Sequence, residues 1–301
     1  MKRLIKALRA GLIGLVLFAT GALVGLLLSR ENSFVSKGLP DGVPGLRALL
    51  PEQTGAQQSL LEAGQFGFYA PGNLLPRTGS GTQRGGIEDW TRYAPDMIFP
   101  VKESAPSYLN SQIYNPGGGR YVGLNSNNQC APENYSYPWR DNFCEGRSGT
   151  NRESLNCPSR AIHQGVDIRG GSGGAQGSAC YRMAWGGQKG LVPVVAAEAG
   201  RIEYSRLPYK YVVMLITDEG RIFRYLHLEQ ESLKMNPGQR VAAGETIGYL
   251  SNYFGRTRTT HHLHFEISEN VAGRGFTQVS PYMSLVRAYE RDQGLEAVLV
   301  E

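Results

Sequence analysis

His262 and His264 stand at alternate positions in "HHLHFEI", with Leu263 between them and Glu266 two residues further on. Side chains of an extended strand alternate faces, so His262, His264 and Glu266 share one face and Leu263, Phe265 and Ile267 the other. The apolar set belongs to a core, and the two imidazoles project together into whatever faces the sheet. A second cluster, "AIHQGVDIRG", places His163 and Asp167 four residues apart. In an extended segment these also fall on one face, with Gly165 leaving room between them. In "RYLHLE" the same alternation puts Tyr225 and His227 on a common face. A catalytic zinc takes three protein N or O ligands and keeps a fourth position for water. His163, Asp167 and one histidine of the pair supply such a set. The other histidine and His227 are then left for proton transfer and transition-state stabilisation. His261 sits on the apolar side or at the strand entry and is a bystander. Glu266 reads either as a solvated strand residue or as an acceptor for a ligand imidazole N–H, and Tyr225 as a packing aromatic.

These groups need a sheet to hold them, and the sequence from Leu191 onward supplies one. "LVPVVAAEAGRIEY" and "KYVVMLITDEGRIFRYLHLE" carry β-branched and aromatic runs, with "TDEG" as the hairpin turn in the second. "MNPGQRVAAGETIGYL" adds two turns around short strands, and "HLHFEIS" is a last strand. "SPYMSLVRAYERDQG" reads as a terminal helix with Ser280 as N-cap, Pro281 first in the helix and Gly294 as the stop. The expected class is mainly β. Order is expected from "MIFPVKES" onward, giving a domain over 97–290 and a tail over 291–301. Residues 31–96, rich in Gly, Pro, Ser and Gln, read as a spacer. The "GGSGG" run lacks the Lys-Ser/Thr of a phosphate cradle and reads as a loop.

The net charge of +5 does not indicate nucleic acid. Without Lys2, Arg3, Lys6 and Arg9, 27 of the 31 basic residues remain against 26 acidic ones, and no later stripe of Lys and Arg tracks a phosphate backbone. The four cations precede 18 uncharged residues, Gly11 to Leu28. That is near the minimum for a membrane-spanning helix and long for a signal-peptide core. A retained anchor over residues 1–30 is the expectation, with the N-terminus cytoplasmic by the positive-inside rule and the rest outside the cytoplasm. A cleaved signal peptide, with small residues in "ATGA", is the competing reading. Cys130, Cys144, Cys157 and Cys180 contain no C-x-x-C pair, so disulfides in an oxidising compartment are expected rather than a zinc knot. Of the three pairings, Cys130–Cys144 with Cys157–Cys180 closes two short local loops and is preferred.

"HQGVDI", "RYLHLE", "NPGQRVAAGETIGYL" and "HHLHFEI", in that order, resemble the lysostaphin and LytM-type zinc endopeptidases, which cut peptide cross-bridges of bacterial peptidoglycan. The resemblance spans about residues 97–290 and is dense over 161–169 and 191–268. It implies zinc as cofactor, His163, Asp167 and His264 as its ligands, and His262 and His227 as the non-ligand active-site histidines. It also implies a mostly antiparallel β fold with the metal at the floor of a groove, and peptidoglycan peptides as substrate. With the anchor, that places the domain in the periplasm at the inner membrane; partners in division or wall synthesis are not identifiable. A non-catalytic wall-binding or hydrolase-activating module is the alternative, as is, more weakly, a carboxypeptidase. Three departures stand out: His261 before the H-x-H, the long "RGGSGGAQGSACYRMAWGGQKG" connection, and "SNYFGRTRTT" in place of a Gly-Ser-Thr-Gly type turn. These border the groove and are expected to bear on substrate preference rather than chemistry.

Overall fold

The structure, a computed structural model, describes residues 63–74, 77–78, 86–102, 108–109, 120–121, 129–130, 139–146, 153–158, 162–170, 178–207, 210–229, 235–254 and 257–300. The expected anchor over 1–30 lies outside them. No helix among the described residues is long and apolar enough to cross a membrane.

The elements run as follows. β1 is Gln65–Tyr69, β2 Arg77–Thr78, β3 Tyr108–Leu109, β4 Arg120–Tyr121 and β5 Val166–Arg169. Helix α1 is Ala179–Ala184. β6 is Pro193–Val195, β7 Gly200–Leu207, β8 Lys210–Thr217, β9 Ile222–Leu226 and β10 Arg240–Val241. β11 is Thr246–Tyr249, β12 Tyr253–Phe254, β13 Thr257–Arg258, β14 Leu263–Val271 and β15 Gly275–Val279. Helix α2, Tyr282–Gln293, and β16, Glu296–Val300, close the chain.

The main sheet has the order β10-β7-β8-β9-β14-β5-β3, with β15 also pairing β14. All of its pairings are antiparallel, as the family resemblance implies. The β8–β9 hairpin turns at Gly220, whose φ of 87° suits a residue without Cβ. The apolar face is continuous: Phe223 and Phe265 stack at 5.7 Å and Tyr225 meets Phe265 edge-on at 5.3 Å. Each such ring, removed from water, contributes about 2–3 kcal/mol. Tyr225 is a packing aromatic, as expected, with its hydroxyl accepting from Ala197 N–H at 2.9 Å.

Order begins earlier and ends later than the sequence patterns suggest. Gln65–Tyr69 falls in the expected spacer, yet pairs in parallel with Glu296–Val300, which falls in the expected tail. Alternation explains it: Phe66 and Phe68 are both buried, and Phe66 lies 4.9 Å from Trp139 and 5.1 Å from Tyr289 of α2. Helix α2 starts one residue later than expected, with Pro281 in the capping position and Ser280 Oγ accepting from Tyr282 N–H at 3.3 Å. Gly294 ends it in the left-handed conformation, φ 65°.

The disulfides are Cys130–Cys180 and Cys144–Cys157, not the pairing expected. Short loops were the basis of that expectation, but closure entropy grows slowly with length, so tertiary packing decides. Cys180 lies on the buried face of α1 against Cys130, while 144–146 folds back on 162–163 through Cys144 N–H to His163 O and the Gly146–Ile162 bridge. Cys130–Cys180 closes a separation of 50 residues, for which the chain-entropy model gives about 4 kcal/mol. Replacing both cysteines by serine is therefore expected to lower the urea midpoint by the equivalent of a few kcal/mol, measurable by equilibrium unfolding.

Candidate metal centre

β14 lies between β5 and β9, and its register sets the site: His264 is opposite Asp167 on one side and Leu226 on the other. Directly opposed residues of antiparallel strands project from the same face. His163 joins them from the segment leading into β5, held by its own N–H to Glu145 O at 2.6 Å. The chain can come this close because residue 165 is glycine. A Cβ there would lie 2.3 Å from Phe265 O and 3.0 Å from His264 Nε2.

The result is a triangle of donor atoms. His163 Nε2 is 2.8 Å from His264 Nδ1 and 3.1 Å from Asp167 Oδ1, and His264 Nδ1 is 3.0 Å from the same oxygen. Each imidazole has its other nitrogen engaged: His163 Nδ1–H donates to Asn142 O at 2.7 Å, and His264 Nε2–H to Glu266 Oε1 at 3.0 Å. Neutral rings with those tautomers point two nitrogen lone pairs and a carboxylate oxygen at one spot. Three acceptors converging without a donor repel one another unless a cation or a proton sits between them. Two nitrogens and one oxygen match zinc, for which bond lengths near ~2 Å put tetrahedral donors about 3.3 Å apart, close to this triangle. The same three residues form the metal-compatible group found among the described residues.

Electrostatics agree. Burial opposes charge on His264, but the bonds to Asp167 and Glu266 lift its pKa to about 9. Burial likewise works against the Asp167 carboxylate, yet the neighbouring His163 and His262 imidazoles hold its pKa well below the ordinary value. Two carboxylates thus keep a proton on His264 at neutral pH, and a divalent ion in the triangle would take that proton's place.

Glu266 is the acceptor that alternation offered, not a solvated strand residue. It is 1 % exposed, and its second oxygen accepts from Arg224 Nη1 at 3.1 Å and Gln278 Nε2 at 2.5 Å. Glu266→Gln keeps the shape but removes the charge that fixes the His264 tautomer. Metal affinity is expected to fall about 10–100-fold, read by competition with a chelator.

His262 and His227 complete the cluster. Their ring centroids are 4.6 Å apart, His227 lies 6.2 Å from His264, and His262 Nε2 is 3.4 Å from Asp167 Oδ1. His262 Nδ1–H donates to Thr260 O at 2.8 Å and His227 Nδ1–H to Tyr253 O at 2.8 Å, leaving Nε2 of each ring for chemistry. His227 corrects one expectation, because it does not share a face with Tyr225. Its φ of 67° breaks the strand alternation just past β9 and turns the ring away from the core to the imidazole side. A non-glycine residue in that region costs about 1–3 kcal/mol, which the surrounding contacts must offset. Burial and the neighbouring His262 and His264 push the His227 pKa well below its usual value, so the ring is neutral. His261, as expected, stays out of the cluster: its backbone N–H donates to Gln129 Oε1 at 2.8 Å, and burial lowers its pKa to about 4.

Sequence reasoning missed Asn142. Its carbonyl orients His163, and its Oδ1 accepts from Asp167 N–H at 3.2 Å, so one buried residue holds two corners of the triangle. It lies in an irregular segment with no periodicity to flag it. Arg224 was legible in principle, standing directly across from Glu266 in the β9–β14 register.

Residues 182–275 match the model of peptidase family M23. The match includes His227, His262, His264 and Glu266 and begins after His163 and Asp167. No curated protein matches. Among solved structures, a putative glycyl-glycine endopeptidase lytM from Ruminococcus gnavus ATCC 29149 is 22% identical, with TM-score 0.32, over 50% of this chain and 62% of that one. The antimicrobial peptidase lysostaphin from Staphylococcus simulans is 23% identical, with TM-score 0.31, over 47% of this chain and 49% of that one. A zinc containing peptidase from Vibrio cholerae is 22% identical, with TM-score 0.27, over 42% and 32%. The chain thus spans less than two thirds of the length of each of these three.

Proposed function

We propose that this chain, whose residues 182–275 match the model of peptidase family M23, is a zinc metalloendopeptidase of the lysostaphin/LytM type hydrolysing peptides of bacterial peptidoglycan. The observation that carries this reading is the triangle of His163, Asp167 and His264, three metal-competent atoms within 3.1 Å of one another, held together by a proton or by a cation in its place. Zinc, when bound there, polarises the scissile carbonyl and acidifies a water. His262, with Nδ1–H fixed on a carbonyl, accepts the water's proton at Nε2 and returns it to the leaving amine. His227 enters neutral with its only N–H committed to Tyr253, so its Nε2 must take up a proton before it can donate to the oxyanion or the amine. Asn142 and Glu266 fix the ligand tautomers. The two disulfides support an oxidising, extracytoplasmic compartment. The cations and the apolar stretch of Gly11 to Leu28 support an inner-membrane anchor.

Purified protein is expected to carry one zinc per chain and to release soluble fragments from isolated sacculi. A chelator should stop the release and added zinc restore it, and fragment masses would identify the bond. Metal-free protein that digests nothing yet accelerates another wall hydrolase would establish the activator module instead.

A further inference from the structure

We infer that Tyr181 and Trp185 form a stacking platform for a hexosamine ring of the glycan strand, an inference that rests on the peptidoglycan reading above. The two rings stack at 4.7 Å with planes 30° apart. Tyr181 is partly buried against the core, whereas Trp185 is 57% exposed. Trp185 is therefore seated on one face and open on the rest, and its backbone N–H is held by Tyr181 O at 3.0 Å. An exposed tryptophan fixed this firmly does not collapse onto its own surface, so its apolar face stays available.

The surroundings select the ligand class. Arg182, Gln188 and Lys189 are exposed and lie within four residues of Trp185 in the chain, with Gly186 and Gly187 directly after it. A membrane or an apolar partner wants a contiguous apolar patch, which this is not. A pyranose presents a flat face of C–H groups rimmed by hydroxyls and, in a hexosamine, an acetamide. One aromatic plane bordered by N–H donors complements it.

The position also fits. At one end, α1 is tied through Cys180 to Cys130, and the adjoining Gln129 holds the backbone of His261 at 2.8 Å, next to His262. At the other end, Lys189 pairs with Glu229 at 3.5 Å, two residues beyond His227. The segment bearing the platform is therefore fastened on either side to stretches that neighbour the two proton-handling histidines in the chain. The long connection that departs from the family supplies the pair, and a sugar bound there would belong to the strand whose stem peptide enters the site.

The test compares the zinc-loaded wild-type chain with Trp185→Ala and Trp185→Phe. The probes are peptide-free glycan strands of alternating N-acetylglucosamine and N-acetylmuramic acid, and a sugar-free stem-peptide substrate. Trp185→Ala is expected to weaken glycan binding about tenfold, Trp185→Phe to recover most of it, and turnover of the sugar-free peptide to stay unchanged in both. Glycan binding by Trp185→Ala at wild-type strength would overturn the platform. So would an equal loss on the sugar-free peptide, which would make it a peptide subsite. A wild-type protein that binds the glycan through Trp185 but cuts no peptide would uphold the platform and refute the hydrolase.

Discussion

His264→Ala is expected to lose zinc and turnover together, whereas His262→Ala keeps zinc and loses turnover alone. The first change removes one donor of three and takes from Glu266 Oε1 the N–H it orients, while Oε2 keeps Arg224 and Gln278. The second spares all three donors and removes the ring whose Nε2 stands 3.4 Å from Asp167. Loss of a general base costs about 10²–10⁴ in kcat. Zinc content by elemental analysis, set beside sacculus digestion, separates the two. If both variants digest sacculi at the wild-type rate, the assignment of roles is wrong.

The second large effect is expected from one methyl group. Gly165→Ala places a carbon 2.3 Å from the carbonyl of Phe265, on β14 beside His264, and 3.0 Å from both His264 Nε2 and Glu266 Cγ. A strand carbonyl cannot rotate aside as a long side chain can, so β5 and β14 must part. Overpacking of this kind costs about 1–3 kcal/mol or more. Here the displaced strands are also those carrying Asp167 and His264 in direct register. Reduced zinc affinity should therefore accompany a lower melting temperature. A variant that melts early but holds zinc at wild-type strength would show that the ladder yields without disturbing the triangle.

Where period-two alternation governed, the sequence was readable. Leu263, Phe265 and Ile267 are fully buried, and His264 and Glu266 meet on the opposite side. The reading failed where the backbone left the period or the partner lay far off. His227 changes face through a left-handed φ that no side-chain pattern signals. Gln65 finds Glu296 across 231 residues, a pairing that alternation within "QFGFY" could suggest as a strand but not assign to a partner. Asn142 acts partly through its carbonyl, which every residue has, so its type carried little information. The cysteine partners followed the packing of α1 and of the 142–146 segment, neither of which leaves a trace in spacing.

Ser251–Thr260 carries a consequence for anyone recombining such proteins. Ser251 O accepts from His262 N–H, Tyr253 O fixes the His227 ring and Thr260 O the His262 ring. A hairpin expected to tune only what the groove admits in fact sets which nitrogen each ring offers. Grafted into a related scaffold, it should transplant acid–base behaviour along with selectivity. The chimera's pH–rate profile would shift toward that of the donor even on a substrate too small to touch the graft.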